Sequence, residues 1–305
     1  MNFTAKDVSD LRAQTGIGMM ECKKALTEAN GDKEEAIKIL REKGLAVAEK
    51  KASRIAAEGV VDILAQGDSV AMVEVNSETD FVAKNDSFKS FVKGVLETIL
   101  SEKPADVDAL LACKFSGTDD TVDAVLKDKT FQIGEKLSIR RFAVVDGLTS
   151  TYVHGGGTIG VIVKAESECA DKDAVKAVLK NVALQIAAMN PKYLDKDSVP
   201  AADLEAEKEI LMAQINNDEK NASKPEAVKE KMILGKIGKF YDTNCLLEQE
   251  YVKEDKVKVS AYVASEANNL GADIKITSFL RYEKGEGIEK REDNFAEEIA
   301  KLTQK

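Results

Sequence analysis

The sequence has no tryptophan, a single histidine, four prolines and four cysteines, and aromatic residues make up only 5% of it. Each scarcity removes a class of function. Histidine is the commonest general base and metal ligand, so His154 alone leaves little room for a hydrolase triad or a histidine-built metal site. Cys22, Cys113, Cys169 and Cys245 lie far apart with no CxxC pair, which argues for reduced, mostly buried thiols and against a disulfide scaffold or a zinc cage. No apolar run approaches the roughly 18–20 residues of a membrane span, so no membrane role is expected. The opening MNFTAKDVSDLRAQ carries charges where a signal peptide needs an apolar stretch, and a cytoplasmic location is expected. A basic surplus is also missing: 44 Lys and Arg against 54 Asp and Glu give a net charge of −10, which opposes wholesale binding to a phosphate backbone and argues against direct nucleic-acid binding. There is no G-x-x-x-x-G-K-[ST] loop, so holding a nucleoside triphosphate falls to a partner, if to anything.

What is present reads as globular material. The 305 residues are 44% hydrophobic and 32% charged, enough for two or three domains. Thr4 with Asp7 makes a capping-box-like start, Val8 and Leu11 give an apolar stripe, and Thr15-Gly16 a stop, so a short helix is expected over 5–14. Met19, Cys22, Ala25, Leu26 and Ala29 recur at helical spacing up to Asn30-Gly31. Asp32 with Glu35 caps a third helix expected to end at Gly44, with a fourth helix or helical linker over 45–58. From Gly59 the period becomes alternating: VVDILAQ, a turn at Gly67-Asp68, and VAMVEVN predict a β-hairpin, followed by an amphipathic helix from about Ser87 to Leu100. Strand, glycine turn, strand and helix recur over 137–189, and a strand near DIKITSFLRYE returns to complete a sheet. Helices over 204–215 and 228–237, the second capped by Ser223 and Glu226, predict an antiparallel coiled-coil hairpin. Residues 101–130 are acidic and weakly patterned, and read as a solvated helix and loop.

The expected class is α+β, built from an N-terminal three-helix unit (1–55), one α+β subdomain (56–146), a related second one (147–200 and 241–284), a protruding hairpin (201–240) and a C-terminal helical module (285–305). Gly155-Gly156-Gly157-Thr158-Ile159-Gly160 matches G-x-G-x-x-G, but a strand follows it where a dinucleotide site needs a helix. His154-Gly155-Gly156-Gly157 mimics an esterase oxyanion loop, yet no G-x-S-x-G elbow accompanies it. Two features are left over by packing. At most one of Met19 and Met20 can face the small helical core, and Phe81 lies in the connection Thr79-Asp80-Phe81-Val82 flanked by polar residues, either as a loop anchor or as a projecting apolar wedge beside a carboxylate.

The segments LRAQTGIGMMECKKALTEANGDKEEAIKILREKG, ETDFVAKND, YVHGGGTIGVIV, KPEAVKEKMILGKIGKF and RYEKGEGIEK together resemble the bacterial elongation factor Ts family over essentially the whole chain. The resemblance implies a ubiquitin-associated-like N-terminal domain and a guanine-nucleotide exchange factor for elongation factor Tu, with no covalent chemistry, no cofactor and no metal of its own. It implies that Thr79, Asp80, Phe81 and Val82 dislodge the partner's Mg²⁺, and that Arg12, Met19, Met20, Lys23 and His154 contact the partner. The family includes 2:2 assemblies, so a homodimer is compatible with it. The competing reading is a partner-binding scaffold without exchange activity.

Overall fold

The computed structural model describes residues 2–289. Three helices open the chain: α1 (Ala5–Thr15), α2 (Met19–Glu28) and α3 (Lys33–Lys51). Thr4 Oγ1 accepts the Asp7 N–H at 3.3 Å while the Asp7 carboxylate accepts the Thr4 N–H at 2.8 Å, a reciprocal capping box. Val8, Leu11, Cys22, Ala25, Leu26, Ala36 and Leu40 form the shared core. The turn before α3 needs glycine: Gly31 has φ +92°, and a Cβ there would lie 2.6 Å from the Asn2 carbonyl oxygen.

Gly44 does not end α3, contrary to expectation; the helix continues to Lys51, replacing the separate fourth helix. The glycine is buried within the helix and faces Phe131 of a later helix, whose atoms lie 3.5 Å from where a Cβ would sit, an ordinary contact distance.

The centre is two three-stranded antiparallel sheets. β1 (Glu58–Gln66), β2 (Ser69–Ser77) and β3 (Ser138–Asp146) form one in the order β1-β2-β3; β4 (Thr149–His154), β5 (Ile159–Glu166) and β6 (Lys275–Glu283) form the other in the order β4-β5-β6. Each is a tight hairpin completed by a strand from later in the chain. Alternation along the strands explains the layering. In β2, Ala71, Val73 and Val75 face a helical core, whereas Val70 and Met72 meet Ile162 and Tyr282 of the second sheet. The sheets therefore pack face to face, and Gly160 makes that possible: a Cβ on it would lie 2.5 Å from Val61 Cγ1 and 2.8 Å from Met72 Sδ.

Helices cover both outer faces. α4 (Asp80–Ala83), α5 (Asp86–Glu102), α6 (Val107–Ala112) and α7 (Val122–Ile133) cover the first sheet; α8 (Lys172–Met189) and α11 (Val259–Leu270) cover the second. Residues 101–130 are not simply solvated, because Leu110 and Val122 are fully buried and the Phe115 ring stacks on Phe91 with centroids 5.7 Å apart. Their short helices carry too few apolar residues for a periodic signal, and burial comes from the neighbours.

α9 (Ala201–Asn217) and α10 (Glu226–Asn244) form the antiparallel hairpin, zipped by Leu211, Ile215, Ile233 and Ile237 as a cluster of its own. Both arms are longer than expected. Pro225 is itself the N-cap of α10, without a side-chain cap bond, in place of the expected Ser223 box, since a proline keeps the residue before it out of the helical region. Of the C-terminal module, residues 290–305 lie outside the described residues. Among the described residues no helix is long and apolar enough to cross a membrane.

Candidate functional site

Between β2 and α5 the chain is pinned at two consecutive residues. Glu78 accepts the Lys136 N–H at 2.6 Å and pairs with Arg54 at 3.1 Å; burial pushes its carboxyl up, but these partners outweigh it and hold it below the usual range. Thr79 donates its N–H and its hydroxyl to the Glu135 carboxylate at 2.9 and 2.6 Å. The next residues, read from sequence as a connection, form one turn of helix, α4. Val82 turns inward among Phe88, Val92 and Leu137, worth about 1.5–3 kcal/mol for a fully buried side chain of its kind. Asn85 Oδ1 then caps α5, accepting the Ser87 N–H at 2.8 Å and the Phe88 N–H at 3.3 Å.

With its neighbours fixed, Phe81 points out, 78% exposed. A free loop would collapse such a ring onto the surface; here one helical turn with Val82 anchored directs its predecessor away from the core. Asp80 pairs with Lys84 at 2.9 Å, a hydrogen bond that holds its carboxyl below the usual range, and the Lys84 ammonium lies 5.8 Å from the Phe81 ring centre. An exposed ring therefore sits beside an ionised carboxylate.

Phe81, Val82 and Asn85 line one side of a cleft of about 650 Å³; Gln14, Thr15 and Gly16 from the end of α1 line the other, with Lys129 and Gln132 of α7 also contributing. Gln132 Nε2 donates to the Thr15 carbonyl at 2.6 Å and Lys129 Nζ to Ser87 Oγ at 2.9 Å. Helix α7 thus bridges the N-terminal helices and the Phe81 turn. Lys129, Gln132 and Glu135 were not among the site residues expected from sequence. No local motif marks them, because their partners lie far away in the chain.

Met19 is 50% exposed and Met20 63%, so neither enters the helical core; Ile17 and Cys22 fill it instead. Arg12 and Lys23 are exposed as well. His154 stands apart from the Phe81 cleft, at the exposed end of β4, with Nδ1 2.9 Å from the Tyr152 hydroxyl. After it Gly155, Gly156 and Gly157 all take positive φ and lead into a strand, which makes this a hairpin turn with no helix start to hold a phosphate. The Gly157 carbonyl accepts the Val61 N–H at 2.8 Å, tying this turn to the first sheet.

A buried carboxylate fastens the two sheets together. Glu74 on β2 accepts from Arg140 at 3.0 Å, from Arg141 at 2.6 Å, from Asn76 at 3.1 Å and from the Gly285 N–H at 2.8 Å. Burial pushes its carboxyl up, yet the Gly285, Asn76, Arg141 and Arg140 hydrogen bonds outweigh that and hold it below the usual range. Among the described residues no cluster of His, Cys, Asp or Glu is arranged to hold a metal ion.

Residues 78–286 match the family model described as Elongation factor TS. The chain is 46% identical to a protein of Syntrophotalea carbinolica over 99% of this chain and 100% of the relative. It is 48% identical to proteins of Clostridium kluyveri and of Clostridioides difficile, over 98% of this chain and 98% of each relative. All three relatives are named elongation factor Ts.

Proposed function

Because the chain belongs to the elongation factor Ts family of translation elongation factors, we propose that it is a guanine-nucleotide exchange factor acting on elongation factor Tu loaded with GDP. The N-terminal unit, residues 1–55, docks on the partner's nucleotide-binding domain through Arg12, Met19, Met20 and Lys23. Phe81 enters between two of the partner's helices and displaces the groups that hold its Mg²⁺, and Asp80 competes for polar contacts there. Loss of the metal removes the charge that neutralises the nucleotide's phosphates, and GDP leaves. The second sheet, with His154, adds contacts. No covalent step is needed.

The observation that carries this reading is the exposed Phe81 ring on a turn pinned by Glu78, Thr79 and Val82. Burying such a ring in a partner recovers about 2–3 kcal/mol, within the range of ordinary coupling between two ligands on one protein. The coupling is reciprocal: a factor that weakens GDP binding is itself held more weakly, by the same ratio, while GDP is present. A pre-ordered turn keeps that gain from being spent on ordering the loop.

The test is stopped-flow release of fluorescent GDP from elongation factor Tu at several magnesium concentrations. The unmodified chain accelerates release, and Phe81→Ala loses about thirtyfold of that acceleration, the equivalent of about 2 kcal/mol. If the unmodified chain fails to accelerate release, the scaffold reading replaces exchange. Equal rates with Phe81→Ala would leave exchange standing and remove the wedge.

A further inference from the structure

A second cleft carries charge that the exchange reading leaves unused. Lys172, Lys176 and Lys180 recur every fourth residue along α8, so they share one face, stepped by about 6 Å per interval along the helix axis. All three line a cleft of about 490 Å³ whose other walls are the hairpin turn at Gly67-Asp68, the crossover at Gly147, Thr149, Ser150 and Thr151 of β4, and an apolar part from Ala65, Val70 and Leu148. The space falls within the range of small-ligand sites and is far too narrow for a folded partner's face.

These cations are not neutralised from within. Lys172 Nζ donates to the Ser167 carbonyl at 2.7 Å, and Lys180 donates to the Thr151 carbonyl and lies 5.1 Å over the Tyr152 ring. None of the three has a carboxylate partner among the described residues, whereas Lys103, Lys196, Lys208 and Lys258 are all ion-paired. In a chain with net charge −10, three adjacent cations facing one cleft with no ion-pair partner among the described residues run against the overall balance. Asp68 is the one acidic residue lining the cleft; Asp146 nearby is engaged by Ser69 and by Lys103 at 3.5 Å. Lys164 supplies a fourth cation at the rim, its Cε 3.5 Å from the position a Cβ on Gly147 would take.

We propose that this cleft binds a small polyanion bearing two or more phosphates. Fully ionised phosphate oxygens only accept hydrogen bonds, and a row of ammonium groups beside the hydroxyls of Thr149, Ser150 and Thr151 can donate to them. Glycine at both turns lets the ligand approach the backbone closely. The surrounding negative charge makes the cleft selective, since extended polyanions are repelled by the rest of the surface. The proposal stands independently of the exchange reading.

Calorimetric titration of the full chain with inorganic triphosphate, at about 0.05 and 0.15 M salt, tests it. Saturable one-to-one binding is expected, weakened by salt, about tenfold weaker in Lys176→Gln and about a hundredfold weaker in the Lys172→Gln/Lys176→Gln/Lys180→Gln variant. Lys208→Gln, on the distant hairpin, should bind as the unmodified chain does. The Lys176 side chain is exposed and makes no hydrogen bond or ion pair among the described residues, so its variant reads binding with the fold intact. Absence of saturable binding, or equal affinity in Lys176→Gln and in the triple variant, would overturn the proposal. Tighter binding of a hexaglutamate peptide than of triphosphate would also overturn it and assign the cleft to an acidic segment of a protein.

Discussion

Thr79 gives both its backbone N–H and its hydroxyl to the carboxylate of Glu135, across 56 residues of chain, and so fixes the turn from which Phe81 projects. If this bond keeps the ring presented, Glu135→Ala should slow nucleotide release from elongation factor Tu severalfold with Phe81 still in place. It should also lower stability by about 1–3 kcal/mol, the range for losing half-buried bonds to a charged group. Release kinetics and urea denaturation of one preparation read both effects. Unchanged release alongside lowered stability would make the pair purely structural.

Glu74 predicts a pH dependence. Its folded-state carboxyl lies below the ordinary value of 4.5, so the protein in its unfolded form binds the proton more readily. The stabilisation is therefore complete above about pH 5 and is lost as pH falls below 4.5 and through the folded value. Urea denaturation between pH 7 and 3 should show this loss, and Glu74→Gln should flatten it. At neutral pH, Glu74→Ala should cost about 3–5 kcal/mol, because Arg140 and Arg141 would be left partly buried without their counter-charge. A Glu74→Gln profile as steep as that of the unmodified chain would assign the acid sensitivity to other carboxylates that are also held low, among them Asp7, Glu78 and Glu248.

Gly160→Ala tests the face-to-face packing of the sheets. The added methyl would meet Val61 Cγ1 and Met72 Sδ at 2.5 and 2.8 Å, and neither has open space to retreat into at the sheet interface. Overpacking of this kind costs about 1–3 kcal/mol. Circular dichroism should show unchanged helix and strand content with a lowered unfolding midpoint; an unaltered midpoint would mean that the sheets separate freely.

Strong periodicity and turn chemistry made much of this legible in the sequence. The hairpin at Gly67-Asp68, the box at Thr4 and Asp7, and the returning strand at β6 announce themselves through neighbours a few residues away. Gly44 misled because glycine ends helices by local preference, whereas here it is buried inside α3 and faces Phe131, remote in sequence. Ser223 misled because Pro225 keeps Lys224 out of the helical region and so moves the N-cap of α10 to itself. At the candidate site, Phe81 stood out as an aromatic without a hydrophobic pattern around it. The residues that hold it in place did not, since Lys129 and Gln132 look like ordinary helix-surface residues, and Glu135 like an ordinary loop carboxylate, until the fold brings their partners to them.

On the proposed function, the exposed methionines would separate grip from wedge. Met19 and Met20 begin α2 with both thioethers outside the helical core, while the nearby end of α1 shares a cleft with Phe81. Their side chains are flexible enough to fit an apolar surface and make no contact that the folded unit needs. Replacing both with alanine should therefore leave stability within about 0.5 kcal/mol, as for exposed positions generally. In exchange assays the variant should need a several-fold higher concentration to reach half-maximal rate, yet arrive at the same rate at saturation, since uniform binding is lost and the wedge is kept. Phe81→Ala should show the reverse, a lowered rate at saturation with little change in the concentration required. If both variants lowered the saturating rate alike, docking and displacement would be one event, and the separate grip would have to be abandoned.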